Sequence, residues 1–153
     1  PMPFAPARFC FNEDGGQMFV TGSDGDAIVI VDTFQNQLDE TFIAGSKPYG
    51  MAVGTSGDQS LLLVTNPGSG DLSIFDVDTR RLASSVHVGG NPGEVLITPG
   101  GEYALVIGRD SGDVAVVRLS TVLNRQIRTK PLFTMFPTGA NPQSAAIVPS
   151  GQL

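Results

Sequence analysis

Residues 61–76 read LLLVTNPGSGDLSIFD and contain the pattern that decides the fold. Two short apolar runs, Leu61–Thr65 and Leu72–Phe75, are joined by an acidic glycine turn at 68–71. Runs of this length, rich in Val, Ile, Leu and Phe and bounded by turn residues, predict strands and not helices. The sequence VGGNP follows at 88–92, and its Gly-x-x-Pro element recurs elsewhere in the chain.

The Gly-x-x-Pro element marks an internal repeat. It occurs at Gly45–Pro48, Gly89–Pro92 and Gly139–Pro142, and Pro6 opens an earlier unit. The prolines are spaced by 42, 44 and 50 residues, a period typical of repeat folds. Four apolar runs separated by turns fill each of the first three units. The third run, for example Ala27–Val31, is apolar throughout, as in a strand covered on both faces. Four such strands per unit predict the blades of a β-propeller.

The predicted fold is all-β: a β-propeller with about three four-stranded blades plus the first strand of another. The chain is predicted to be one partial propeller domain over residues 1–153. The blades are assigned to residues 6–47, 48–91 and 92–141, and a lone terminal strand to residues 142–149. The third unit is longer than the others, which places an insertion within 119–137. Ser120 is a candidate cap for one helical turn there. Each blade is expected to be antiparallel with its first strand innermost.

Charge and hydropathy exclude some partners. The chain carries 9 Lys and Arg against 15 Asp and Glu, a net charge of −6, which argues against binding nucleic acid through a broad basic field. No stretch approaches the roughly 20 apolar residues of a membrane-spanning helix. Residues 118–153 hold four basic residues and no acid. This segment is either a solvated loop or a surface that docks on acidic groups.

Few residues suit metal or redox chemistry. Cys10 lies between two phenylalanines and is expected to be a buried, unreactive thiol. His87 is the sole histidine, and a zinc site normally needs several His or Cys ligands, so a structural or solvated role is expected. The acidic glycine turns offer at most two carboxylates each. The backbone conformation of hairpin turns, which favours Gly and Asp, explains these residues better than a calcium site does. We expect no metal and no cofactor.

Asp32 and Asp76 form a second recurring pattern. Each ends an apolar strand just before a turn that carries Thr33 or Thr79. We expect each carboxylate to accept hydrogen bonds from its turn, a structural role.

The second and third units resemble the YVTN β-propeller repeat family. The motif lies at Leu63–Asn66, and the first and third units offer Phe19–Gly22 and Leu105–Gly108. Gly70–Asp76 and Val88–Pro92 extend the resemblance. Members of this family, like the related lactonase-type propellers and haem d1 domains of nitrite reductases, usually have seven blades. The resemblance implies that the chain is part of a seven-bladed propeller or closes by oligomerisation. Its expected partners are therefore the remaining blades or a second copy of the chain, and its expected location is extracytoplasmic, periplasmic or secreted.

An incomplete ring predicts exposed apolar surface. The outer faces of blades 6–43 and 92–136 would have no neighbouring blade, and such surfaces promote association. We expect them to be buried against another chain or further blades, over more than about 1,000 Å².

The propeller fold places the candidate ligand site in the central channel. The first strand of each blade lines that channel, and the loops before this strand share one face with the loops between the second and third strands. The residues expected there are Arg8, Lys47, Tyr49, Asn66, Asn91, Glu94, Arg109, Asn141 and Gln143. Charged groups such as Arg8, Glu94 and Arg109 could activate water or hold a carboxylate. The alternative is that they are ordinary loop-end residues satisfied by water.

Two functional classes stay open at this point. One is a non-catalytic binding or scaffold propeller that presents its loops and channel to a protein, a glycan or a small ligand. The other is a lactonase-type hydrolase with its site in the channel. The lack of a clustered His, Cys or carboxylate set favours the first, because propellers host many functions and fold alone cannot decide.

Overall fold

The strands follow the sequence repeat. The structure, a computed structural model, describes residues 2–123 and 130–148. Within these residues, twelve strands form three four-stranded antiparallel sheets, each in chain order. The all-β, propeller-type fold is therefore confirmed. No helix of the described residues is long and apolar enough to cross a membrane.

Each sheet is one blade. The first contains β1 Pro6–Phe11, β2 Gln17–Gly22, β3 Ala27–Asp32 and β4 Gln37–Ile43. The second contains β5 Met51–Ser56, β6 Gln59–Asn66, β7 Asp71–Asp76 and β8 Arg81–His87. The third contains β9 Pro92–Ile97, β10 Tyr103–Gly108, β11 Asp113–Arg118 and β12 Leu132–Pro137, with the short helix α1 Leu119–Leu123 before β12.

The Gly-x-x-Pro elements adopt one backbone conformation in all three units. Their glycines have φ of 150°, 105° and 106°, and the residues before proline, Lys47, Asn91 and Asn141, have φ of 55°, 51° and 55°. Glycine accepts a positive φ without steric cost, and asparagine tolerates the left-handed region better than most residues. The repeated sequence therefore encodes a repeated turn that leads into the first strand of the next blade.

The core lies between blades. Leu61 and Leu63 belong to a buried cluster shared with the third blade, whereas Leu62 and Val64 pack with Phe19 of the first blade. Successive side chains of a strand point to opposite faces, so a strand between two neighbours must be apolar at every position. This arrangement confirms the two-sided burial that the sequence predicted.

The first strands are innermost, as expected. β5 contacts β1 on one side and β9 on the other. Gly50 and Gly93 allow this approach, because a Cβ on Gly50 would overlap the carbonyl oxygen of Gly93. Thr65, from the LVTN motif, links the two strands. Its Oγ1 donates to the Gly93 carbonyl at 2.7 Å and accepts from the Gly50 amide at 2.8 Å.

Two segments differ from expectation. The helix within the insertion begins at Leu119, so Ser120 lies inside it and does not precede it as a cap. Residues 142–148 form no strand, although a lone strand was predicted over 142–149. A strand is held by pairing with another strand, and the described residues contain no second strand of a fourth blade. Residues 124–129 of the insertion and residue 149 lie outside the described residues.

The outer face of the first blade carries a cover that the sequence did not predict. Met2 and Phe4 pack against the buried cluster of Val20, Val29 and Val31. Phe4 also lies directly over Gly22, where a Cβ would come within 2.7 Å of its ring. The N-terminal segment thus covers part of the surface that was expected to be open.

Candidate functional site

Arg8, Tyr49 and Arg109 converge at the channel face. Arg8 lies on β1, Tyr49 just before β5, and Arg109 just after β10, so the three blades contribute one residue each. The guanidinium carbon of Arg8 lies 3.9 Å from the centroid of the Tyr49 ring, and that of Arg109 lies 4.3 Å from it. The Arg8 Nη2 also donates to the Tyr49 hydroxyl. We call this group the Arg–Tyr–Arg cluster.

Backbone pairing fixes the tyrosine. The Tyr49 amide donates to the Thr65 carbonyl at 2.9 Å, and the Thr65 amide donates to the Gly50 carbonyl at 2.9 Å. The ring therefore projects from a segment that is tied to β6. Cation–π attraction favours a guanidinium over such a ring.

Arg109 is positioned by the loop before β9. Its Nη2 donates to Asn91 Oδ1 at 3.1 Å, and the Asn91 Nδ2 donates to Asp110 Oδ1 at 2.9 Å. The Arg109 side chain lies over Gly93, where a Cβ would be 3.0 Å from the Arg109 Nε. Gly93 was not among the site residues predicted from the sequence. The signal for it was a glycine at the start of an innermost strand, a position that marks close approach of another group.

The Arg109 Nε is a buried donor with no hydrogen-bond partner among the described residues. A buried polar atom normally has a partner, because leaving it unsatisfied costs free energy. The orphaned Nε belongs to the Arg–Tyr–Arg cluster and lies against Gly93.

Glu94 and Gln143 join the cluster around a small cavity. This cavity has a volume of about 240 Å³ and is lined by Arg8, Tyr49, Glu94, Arg109, Gln143 and Ser144. The Ala145 amide donates to Glu94 Oε2 at 3.2 Å and so holds the Glu94 carboxylate. The structure thus brings Arg8, Tyr49, Glu94, Arg109 and Gln143 together, as the sequence analysis expected.

A second cavity adjoins the first. It has a volume of about 340 Å³, and Arg8, Tyr49 and Arg109 line both cavities. Lys47 lines this second cavity, and its backbone amide donates to Asp26 Oδ1 at 2.9 Å. The predicted site residue Lys47 therefore lies next to the cluster. Asn91 takes part indirectly, through its bond to Arg109.

Asn66 lies elsewhere. Its side chain is 1% exposed, and its Nδ2 donates to Ser73 Oγ at 2.9 Å within the blade. The Ser73 Oγ in turn donates to the Ala44 carbonyl at 2.8 Å, which joins the first two blades. The alternation of side chains along β6 could have predicted this burial, because Asn66 lies on the same face of the strand as Val64, which packs toward the first blade. The structure therefore gives Asn66 a place in blade packing and not among the channel residues.

Asn141 is also separate from the cluster. It is exposed and has the positive φ of the third Gly-x-x-Pro element. Its contribution is a backbone one: its carbonyl accepts from the Gln143 Nε2 at 3.3 Å.

The cluster carries positive charge without a paired carboxylate. Among residues 2–123 and 130–148, ion pairs join Arg80 to Asp39 and Glu40, and none involves Arg8 or Arg109. The contacts with Asp39 and Glu40 raise the pKa of the Arg80 guanidinium, chiefly through the hydrogen bond to Glu40. Glu94 lines the same cavity as the two arginines, and the described residues contain no ion pair between Glu94 and either arginine.

Residues with other chemistry are engaged in structure. The His87 Nδ1 lies 3.0 Å from Asp71 Oδ1 on the exposed surface. Burial raises the pKa of the Cys10 thiol to about 12, which disfavours the reactive thiolate. Asp26 and Asp113, from two of the acidic turns, accept hydrogen bonds from Lys47 and Ser111. The described residues contain no group of three or more His, Cys, Asp or Glu placed to hold a metal ion.

Comparison with solved structures supports the propeller-type fold. The chain superposes on the hydrazine synthase of Kuenenia stuttgartiensis with a TM-score of 0.78 and 19% identity, over 91% of this chain and 38% of that one. A 6-phosphogluconolactonase-like protein of Bacteroides fragilis gives a TM-score of 0.63 and 24% identity, over 74% of this chain and 34% of that one. A dihydro-heme d1 dehydrogenase in complex with DHE gives a TM-score of 0.74 and 9% identity, over 90% of this chain and 29% of that one.

These comparisons define a fold class and not a family. No protein-family model matches the chain, and no curated protein matches it. The chain spans about a third of the length of the solved structures above. The fold and the site therefore define the chain as part of a β-propeller with a polar cluster at its channel face. The more specific resemblance to the YVTN repeat family remains a prediction from the motif residues.

Proposed function

We propose that this chain belongs to a binding propeller whose channel face holds a small ligand. The observation that supports this is the convergence of Arg8, Tyr49 and Arg109, one from each blade, on two adjoining cavities. Propeller and barrel sites of this kind combine a shaped cavity with a few polar groups that orient the ligand.

The size of the cavities favours a small ligand over a protein or a glycan chain. A volume of about 340 Å³ lies at the lower end of the usual range for small-molecule sites, roughly 300–1,000 Å³, and one of about 240 Å³ lies just below it. A protein or glycan partner would bind across the broader loop surface.

The test is a ligand screen with matched variants. The protein is screened by thermal shift against neutral sugars, amines, carboxylates and phosphates, alongside Glu94→Gln and Tyr49→Phe. A ligand of the proposed cavity raises the melting temperature of the wild type and has a smaller effect on at least one of these variants. A screen in which no compound raises the melting temperature, or in which both variants respond like the wild type, contradicts the proposed function.

A lactonase-type hydrolase is the second candidate, and Glu94 is the observation that favours it. Its carboxylate is held by the Ala145 amide and faces the cavity that the two arginines line. A carboxylate in this position could activate water while a guanidinium stabilises the oxyanion that forms on the carbonyl. Glu94→Gln would then reduce lactone hydrolysis by about 100-fold or more, the usual range for a general base. Hydrolysis at the background rate by the wild type would remove this candidate.

The extracytoplasmic location stays a proposal that rests on the family resemblance. Its test is fractionation of cells that express the full-length protein. Recovery of the protein in the periplasm or the medium would support it, and recovery only in the cytoplasm would contradict it.

A further inference from the structure

The Arg–Tyr–Arg cluster holds two like charges close to one ring. Both guanidinium carbons lie within 4.3 Å of the Tyr49 centroid, and they come from different blades. The ring offsets part of their repulsion through cation–π attraction, which is worth about 0.5–1 kcal/mol at exposed sites. No carboxylate pairs with either arginine within 2–123 and 130–148. An anion at this point would therefore be attracted by both charges and would reduce their repulsion.

Most of the N–H donors of the two guanidinium groups have no protein acceptor. A guanidinium carries five N–H donors. Among the described residues, the Arg8 guanidinium makes a hydrogen bond only to the Tyr49 hydroxyl, and the Arg109 guanidinium only to Asn91 Oδ1. The buried Arg109 Nε makes none. The planar donor fork of arginine matches a carboxylate or a phosphate group, to which it can donate two parallel hydrogen bonds.

The surroundings set the size of the anion and discriminate against other ligand classes. A cavity of about 240 Å³ holds roughly eight water volumes, which suits a small organic acid or a phosphate ester. Lys47 lines the adjoining cavity and adds a third positive charge. Glu94 is the one acidic residue that lines the first cavity, so it would accept hydrogen bonds from hydroxyl or amine groups of the ligand and not from its anionic end.

We propose that Arg8 and Arg109 together bind the oxyanion group, a carboxylate or a phosphate, of a small ligand, and that this anion links the first blade to the third. This proposal rests on the proposed function and names the ligand class. Because Tyr49 of the second blade lies under both arginines, the anion would hold three blades together at the channel. Binding should therefore stabilise the propeller as well as occupy the cavity.

The experiment is a calorimetric titration near neutral pH at constant ionic strength. The probes are citrate for the carboxylate and inorganic phosphate for the phosphate, each followed by melting temperature in parallel. The variants are Arg8→Gln and Arg109→Gln. The control is Arg81→Gln, which removes one exposed positive charge from an outer strand without touching the cluster. Since Arg109 packs on Gly93, Arg109→Lys is included as a variant that keeps the charge but not the donor fork.

The expected result is saturable binding of citrate or phosphate by the wild type and by Arg81→Gln. Arg8→Gln and Arg109→Gln should each weaken that affinity by about tenfold or more, the effect of losing one charge-assisted hydrogen bond. The affinity of Arg109→Lys should lie between that of the two glutamine variants and that of the wild type. At a fixed anion concentration, the melting temperature should rise most where both arginines are present and by less in each variant. Which probe binds more tightly distinguishes a carboxylate from a phosphate ligand.

Several results would overturn the proposal. One is the failure of both anions to bind, and another is an equal loss of affinity in Arg81→Gln, which would show a nonspecific charge effect. If a neutral sugar or an amine binds the cavity while citrate and phosphate do not, the anion inference fails and the proposed small-ligand function stands. If no compound of any class binds, both fail.

Discussion

Asp32 and Asp76 act as side-chain caps on equivalent turns of successive blades. Asp76 Oδ1 accepts from the Thr79 amide at 2.7 Å and from the Thr79 Oγ1 at 2.9 Å. Asp32 Oδ1 accepts from the Phe34 and Gln35 amides at 2.9 and 2.8 Å. The expected structural role of both carboxylates is confirmed. In the first blade the threonine differs, because the Thr33 hydroxyl donates to the Gly15 carbonyl.

The cap at Asp76 yields a stability prediction. Asp76→Ala leaves the Thr79 amide and hydroxyl without their acceptor, and should lower the free energy of unfolding by about 0.5–2 kcal/mol, as for other lost caps. Asp76→Asn keeps an acceptor oxygen and should lose less. Urea denaturation of the three proteins measures the difference. Equal stability of Asp76→Ala and the wild type would show that the carboxylate is merely solvated.

Cys10 yields a prediction about pH. Burial raises the pKa of its thiol from 9.0 to about 12, so the folded state keeps the proton over a range in which the unfolded state loses it. The unfolded chain therefore binds fewer protons between those values, and the contribution of Cys10 to stability falls as the pH rises through that range. Below the unfolded pKa the contribution is fully present.

Alkylation with iodoacetamide measures this directly, because only the thiolate reacts. The rate for the urea-unfolded chain should rise steeply as the pH approaches 9.0, whereas the native rate should stay low. A native protein whose alkylation follows the same pH curve as the unfolded chain would contradict the raised pKa.

At the scale of strands, the position of a side chain in the two-residue alternation determines which neighbour it meets. Leu63 packs toward the third blade, and Val64 toward the first. Thr65 and Asn66 continue this alternation as buried polar residues, with Thr65 linking β5 to β9 and Asn66 bonded to Ser73. The LVTN motif is thus a packing motif, which agrees with its use as a signature of fold and not of activity.

Close approach of the innermost strands gives an element-scale prediction. A Cβ on Gly50 would overlap the Gly93 carbonyl, so Gly50→Ala must push β5 away from β9 and should cost about 1–3 kcal/mol, as overpacking does elsewhere. Gly90→Ala is the matched control, because its nearest neighbour would be 3.8 Å away. Thermal unfolding of both variants compares them. If the two glycines tolerate alanine equally, the strands are not in the tight contact described.

For the molecule as a whole, the outer faces of the ring segment remain partly apolar. Phe9 of β1 is 65% exposed, and Phe133 and Phe136 of β12 are 56% and 57% exposed. Met2 and Phe4 cover part of the first face but leave Phe9 uncovered. Large aromatic residues exposed at both ends of a blade array mark surfaces that another element covers.

We propose that further propeller blades cover these faces, with a second copy of the chain as the alternative. The solved structures that share the fold are about two to three times as long as this chain, which favours further blades. The 153-residue chain expressed alone should therefore associate, burying more than about 1,000 Å². Sedimentation at micromolar concentration measures this, with Phe133→Ser and Phe136→Ser together expected to weaken association. A stable monomer with no tendency to aggregate would contradict the proposal.

The sequence by itself determined the order of the strands and the burial of the middle strands on both faces. These follow from local properties, namely turn residues, positive-φ positions such as Asn91, and apolar runs such as Ala27–Val31. It also predicted the channel location of Arg8, Glu94 and Arg109, because the repeat places equivalent loops at one face. It failed at residues 142–148, where strand formation depends on a partner that local sequence does not specify.

Only the tertiary structure decided which of the candidate residues meet. Arg8, Tyr49 and Arg109 are far apart in sequence, and their contact depends on the angle and spacing between three blades, which packing of the interblade cores sets. The same packing directs the Asn66 side chain toward the interface between blades and places Gly93 beneath Arg109. Side-chain alternation and turn chemistry act over a few residues, whereas a binding site is formed by groups that only the assembled blades bring within a few ångströms of one another.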